Sequence, residues 1–153
     1  MHQVRLTFPA GSRLPFHPRE IHRLLMCMLQ SLTLKSAEHA KQQGDALYAA
    51  WEVELVFVRD AEIATLNRQY LDCLGPTNCL AFPDAGRPGA FPRGSLFVSL
   101  DTLYRECMLY GQAPAAYLRR LLAHGLVHLA GFEHGKEMEA LCAQLEECRQ
   151  ELG

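Results

Sequence analysis

The segment His124-Gly125-Leu126-Val127-His128-Leu129-Ala130-Gly131-Phe132-Glu133-His134 constrains this chain more than any other. Histidines four apart project from one side of a helix, about one turn from each other. Gly131 accepts the left-handed backbone that stops a helix and turns the chain back. Pro114 suits the first turn of that helix, which is expected to run through about Ala130. The turn brings His134 over the same face. Three neutral ring nitrogens at about 2 Å, with one position left open, describe a catalytic zinc site rather than a closed structural one. One zinc ion per chain is the expected cofactor, held by His124, His128 and His134; nickel, copper and cobalt also bind such a set. The other histidines, His2, His17, His22 and His39, have no such company and read as surface residues.

This spacing is also that of the metzincin proteases, His-Glu-x-x-His-x-x-Gly-x-x-His. Gly125 stands where those enzymes carry their general-base glutamate. The match supports a metal and argues against proteolysis.

With 153 residues, 49% hydrophobic and 21% charged, the chain has the size and make-up of one globular domain, not a disordered or low-complexity segment. The longest apolar run, Leu24 to Leu29, is far short of the roughly 20 residues that span a bilayer. The first residues, Met-His-Gln-Val-Arg-Leu-Thr-Phe-Pro, hold no secretory signal. A cytoplasmic protein is expected, without a membrane partner. Its six cysteines, at 27, 73, 79, 107, 142 and 148, include no Cys-x-x-Cys pair and read as structural thiols.

Periodicity gives the outline. Gln3–Phe8 alternates like a half-buried strand, and Trp51–Val58 alternates and then turns wholly apolar, as an inner strand does. A short strand near 79–83 and another over Gly94–Leu100 follow. Helices are expected over about Pro18–Lys41, after a Gly44-Asp45 break over Asp60–Tyr70 with Asp60 as cap, and over Asp101–Tyr110 with Asp101 as cap. A last amphipathic helix carries Met138, Leu141, Leu145 and Leu152, and the span from Asp84 to Arg93 reads as a Pro/Gly loop. The predicted fold is α+β: one domain, a small mixed four-stranded sheet packed with about five helices, and the metal site on a long helix and the turn after it.

At three places the chain resembles the YbeY-type rRNA maturation factors, zinc-dependent single-strand endoribonucleases. The histidine segment is similar to their His-Gly-x-Leu-His-Leu-x-Gly-Tyr-Asp-His. Leu66-Asn67-Arg-Gln-Tyr70, and Pro76-Thr77-Asn78-Cys79-Leu80-Ala81-Phe82-Pro83 after it, are similar to a second family motif. Gly94-Ser95-Leu96-Phe97-Val98-Ser99 is similar to their Gly-Asp-Ile-x-Ile-Ser strand. The resemblance implies RNA contacts from Asn67, Tyr70, Thr77 and Asn78, and single-stranded RNA, ribosomal RNA and the small ribosomal subunit as partners. It also exposes departures: the family arginine after the tyrosine is Leu71, and two family aspartates are Leu74 and Ser95. Leucine cannot grip a phosphate as a guanidinium does. Arg68, one turn before Leu71, is the candidate replacement.

Zinc would supply a hydroxide near neutral pH, or polarise a phosphoryl oxygen while the RNA 2′-hydroxyl attacks; the sequence leaves both routes open. Glu133 is the candidate carboxylate, taking a proton or orienting a histidine. Net charge is −2 overall, but six acidic residues against two basic ones lie from Glu133 onward, so the first 132 residues carry +2. Arg59, Arg68, Arg87, Arg93, Arg105, Arg119 and Arg120 fall between the motifs, sharing that span with six acidic residues. Tyr70, Phe82 and Phe91 are candidates for base stacking, although Tyr70 and Phe82 also suit a core. The leading reading is a zinc endoribonuclease of ribosomal RNA 3′-end maturation and ribosome quality control. Beside it stand a zinc-bearing ribosome-assembly factor that cuts weakly or not at all, and a metal-dependent hydrolase of a peptide or small molecule.

Overall fold

A computed structural model describes residues 1–43, 50–84, 92–149 and 152. The Gly44-Asp45 break, the stretch holding Arg87 and Phe91, and the side chain of His39 lie outside the described residues. Within them the order is β1 (Gln3–Thr7), α1 (Pro18–Gln43), β2 (Glu52–Val58), α2 (Asp60–Leu71), β3 (Cys79–Asp84), β4 (Arg93–Ser99), α3 (Leu100–Tyr110), α4 (Pro114–Leu129) and α5 (Lys136–Glu146). Among the described residues the fold is the expected one: α+β, with a four-stranded mixed sheet and five helices. No described helix is long and apolar enough to cross a membrane.

The strands lie in the order β1-β2-β4-β3. β1 and β4 both run parallel to β2, while β3 runs antiparallel to β4. That makes β2 an inner strand and explains why its sequence ends in a wholly apolar run: both faces are covered. Val53, Leu55 and Phe57 enter the main core with Leu96 and Val98 of β4, under α1, α4 and α5. On the opposite face Val58, Ile63 and Leu80 form a smaller cluster, joined by Val56, Leu66, Phe82 and Phe97. All six cysteines are free.

Two helix starts differ from expectation. Asp60 is the first helical residue of α2, not its cap; the cap position is Arg59, whose side chain makes no cap bond. The Asp60 carboxylate accepts instead from Ser99 Oγ at 2.7 Å, Thr102 Oγ1 at 2.6 Å and Arg105 Nη2 at 2.9 Å. The cap of α3 is Ser99, whose hydroxyl accepts from the Thr102 amide; Asp101 accepts from the Asp60 amide and from Arg59. Because β2 and β4 are parallel neighbours, α2 and α3 start side by side, and each acidic residue bonds across to the other helix. Leu152 likewise falls beyond α5, which stops at Glu146.

Burial disfavours the Asp60 carboxylate, but the donations from Thr102, Ser99 and Arg105 outweigh it and hold its pKa below the ordinary value. A depressed carboxylate pKa means that its stabilisation is fully present above the unfolded value and is lost as pH falls through the folded one. Asp60→Asn keeps one acceptor for the two hydroxyls and loses the charge facing Arg105. It is expected to cost about 1 kcal/mol at pH 7, and urea titrations at falling pH should show that deficit closing as wild-type Asp60 becomes protonated. A deficit that stays constant across that range would be the contrary result.

Candidate metal centre and its cleft

Helix α4 carries the site because one of its faces is apolar and the other is not. Leu118, Leu122, Leu126 and Leu129 are buried in the core, whereas His124 is exposed and His128 half-buried on the opposite side. The helix ends at Leu129, and Gly131 follows at φ 87°, where a β-carbon is strained. Its amide bonds to the His128 carbonyl and the Phe132 amide to that of Val127, so the chain folds back tightly. This reversal gathers the third imidazole. Ring centroids are 4.6 Å apart for His124 and His128, 5.2 Å for His128 and His134, and 5.9 Å for His124 and His134.

The Nε2 atoms of His124 and His128 face each other at 3.0 Å. Burial lowers the pKa of both rings, helped at His124 by His128 and His134 and at His128 by His134, which together outweigh the opposing Phe132 backbone bond and favour the neutral form a metal requires. The Phe132 backbone hydrogen-bonds the His128 ring. As posed, no group of three His, Cys, Asp or Glu side chains among the described residues is set to hold a metal ion. The rings are gathered without being closed around a point.

Beside the histidines lies a cleft of about 880 Å³ whose lining includes His124, His128, Glu133, Asn78, Arg120 and Leu71. Asn78 is fixed there: its amide donates to Glu106 Oε2 at 3.1 Å and to the Tyr117 hydroxyl at 3.4 Å. Tyr117 in turn donates to Glu106. Burial, followed by that bond, pushes the Tyr117 phenol up to about 12, so it stays a donor. Glu106, Tyr117 and the cleft position of Arg120 were not singled out by the sequence. Spacing from His124 was the available signal, since Tyr117 and Arg120 lie seven and four residues before it, on the same helix face.

The other expected residues lie apart from the cleft lining. Asn67 is buried with its amide on the Gly75 carbonyl at 3.0 Å, so it holds the loop after α2. The Tyr70 ring lies 5.2 Å from Phe82, which lies 5.7 Å from Phe97, a ladder leading to the smaller cluster. Thr77 is half-buried beside Asn78. Arg68 is on α2, which does extend to Leu71, but its guanidinium sits 3.9 Å from Asp72 and outside the lining.

Gly125 explains why this helix carries no carboxylate in the metzincin position. A β-carbon there would lie 2.8 Å from Leu96 Cδ2 and 3.4 Å from Cys79 Sγ. The helix packs against the sheet at that point, with Leu96 fully buried, so a glutamate side chain has no room. Cys79 supplies no anion either, since burial pushes its thiol up to about 12. Both observations weigh against a peptidase.

Known proteins resemble this chain along most of its length. The family described as Endoribonuclease YbeY matches residues 19–152. The chain is similar to the Endoribonuclease YbeY of Nitratidesulfovibrio vulgaris, 46% identical over 108 residues, which covers 59% of this chain and 67% of that protein. It is 37% identical over 127 residues to the one from Lawsonia intracellularis, covering 82% and 87%. Its fold is similar to the solution structure of TM1509 from Thermotoga maritima, with a TM-score of 0.57 at 22% identity over 97% of this chain and 88% of that one. A match across nearly the whole chain, with the histidine turn, the cleft and the Gly94 strand all inside it, places the chain in the endoribonuclease YbeY family.

Proposed function

We propose that this chain is an endoribonuclease that cuts single-stranded RNA in the cytoplasm, at ribosomal RNA 3′ ends and in ribosome quality control, on the small ribosomal subunit. The observation that carries the reading is three imidazoles gathered beside a cleft in a chain of this family. One zinc ion is the cofactor we assign to His124, His128 and His134. Two nitrogens on one tetrahedral zinc stand roughly 3.3 Å apart, and three rings on it have centroids roughly 5 Å apart. The 3.0 Å between the two Nε2 atoms and the ring spacings of 4.6 to 5.9 Å fit that donor set. The remaining adjustment falls to His134, the exposed ring after the turn. Bound there, zinc supplies Lewis acidity and makes water acidic enough to ionise near neutral pH.

The chain's own residues do the rest. The Phe132 carbonyl orients His128. Glu133, exposed in the cleft lining, takes the proton released by the attacking oxygen. Asn78, immobilised by Glu106 and Tyr117, positions the strand. A second reading keeps the metal and the RNA but drops the cutting, because an aliphatic side chain, Leu71, occupies the cleft lining where a phosphate ligand would help.

A labelled single strand with the sequence of a small-subunit ribosomal RNA 3′ end distinguishes the two. The purified protein should cut it, stop after chelator treatment, and resume when zinc is returned, while a duplex of the same sequence stays whole. Intact RNA beside protein holding one zinc per chain would favour the assembly-factor reading. Cutting that survives metal removal would exclude the zinc mechanism.

A further inference from the structure

The cleft beside the histidines is polarised. Among its described lining residues Arg120 is the one arginine or lysine. It lies one helical turn before His124 on α4, and the series 120, 124, 128 forms a single stripe along that helix. Its guanidinium is half-exposed, and Glu146 Oε2 lies 4.0 Å from its Nε. That is too long for a hydrogen bond. The carboxylate therefore holds the side chain by charge alone and leaves its fork of donors for another anion. The lining supplied by the ends of α2 and α3 differs in kind. Leu71 is 54% exposed and Tyr110 is 63% exposed, both large apolar surfaces bare to solvent.

An oligonucleotide single strand has matching parts, an anionic phosphate and a flat base with an apolar face. We infer that Arg120 binds a backbone phosphate of the RNA while the adjoining base stacks on Tyr110 against Leu71. This assignment rests on the ribonuclease reading. It adds how the strand is gripped: a cation on the metal-bearing helix and an aromatic face from α3, with no base-edge contact required. Single strands of any sequence are the ligand class, because every base has a stacking face and every nucleotide a phosphate.

Salt dependence separates the two contacts. The probe is a fluorescein-labelled 2′-O-methyl oligouridine, followed by anisotropy over a range of salt concentrations. Each phosphate neutralised on a single strand contributes a slope of about −0.7 in log affinity against log salt. Arg120→Ala should therefore weaken binding about tenfold at low salt and make the slope shallower by about 0.7. Arg120→Lys should keep the slope and lose part of the affinity, since the charge remains and the fork is gone. Tyr110→Ala should weaken binding about fivefold or more at an unchanged slope, because stacking releases no counterions. Arg19→Ala, outside the cleft, serves as the charge control.

Wild-type affinity and slope in Arg120→Ala would overturn the phosphate assignment, and a slope change in Tyr110→Ala would overturn the stacking one. An Arg19→Ala loss equal to that of Arg120→Ala would show diffuse attraction and overturn the site. Failure of the wild-type protein to bind the probe at all is a separate result, which removes the ribonuclease reading itself.

Discussion

His128→Ala is expected to lower cleavage of single-stranded RNA by at least about 100-fold and to reduce bound zinc from one ion per chain to a small fraction of that. Loss of a residue that merely orients a metal ligand commonly costs 10- to 100-fold, so loss of the ligand itself belongs at or beyond the upper end. His128 is the most constrained of the three rings. It lies within 5.2 Å of both others by centroid, and the Phe132 backbone bonds it directly. His124 and His134, 5.9 Å apart, meet through it. The metal-free proteins should unfold within about 1 kcal/mol of each other, because a half-exposed ring leaves no deep cavity. Zinc should then raise the melting temperature of the wild-type protein and not that of the variant, as mass action requires of an ion that binds only the native site. His22→Ala, on the exposed side of α1, is the matched control. Full zinc occupancy with full cleavage in His128→Ala would remove the metal centre from the mechanism.

The histidine turn was legible because everything that makes it is local. Two imidazoles one helical turn apart and a glycine past the helix end need no knowledge of the rest of the fold. The helix caps were harder for a physical reason. An aspartate is favourable at the cap and throughout the first turn, since both positions face the positive end of the helix dipole. Sequence alone does not separate Asp60 and Asp101 at first-turn positions from true caps, and it passes over Ser99, whose hydroxyl does the capping. Asn67 and Tyr70 show a second limit. A motif marks positions that matter without saying whether they matter to a ligand or to packing; the contacts of these two, with the loop after α2 and with the Phe82 ring, exist only in the folded chain. Arg120 and Tyr110 show a third. The cleft is assembled from the ends of α2 and α3, from β3, from α4 and from the turn after it, so its lining exists only once the sheet order is set.

Gly94→Ala is expected to destabilise the protein by about 2 kcal/mol and to weaken zinc binding with it. Gly94 is buried in β4, paired with Val53 on one side and Pro83 on the other, so the backbone cannot slide away in the plane of the sheet. A β-carbon there would lie 2.5 Å from Leu129 Cδ2, 3.1 Å from Leu129 Cδ1 and 3.1 Å from the Phe82 carbonyl oxygen. The first two contacts belong to a side chain that is 6% exposed and has little room to turn aside, and the third belongs to backbone. Alanine would gain about 0.5–1 kcal/mol by restricting the unfolded chain, and overpacking of a filled site exceeds that gain. The strain has one ready outlet, the last turn of α4, where Leu129 adjoins His128. Displacing that turn moves the ring that the Phe132 backbone holds, which ties the strand glycine to the metal centre. Urea unfolding of wild type, Gly94→Ala, Leu129→Ala and the double variant tests the contact. Leu129→Ala alone should cost about 2–5 kcal/mol through the cavity it leaves. The double variant should cost less than the sum of the single ones by about 1–2 kcal/mol, because the methyl group occupies space the leucine has vacated. Strict additivity would show that the two residues do not press on each other and that the glycine is required for some other reason.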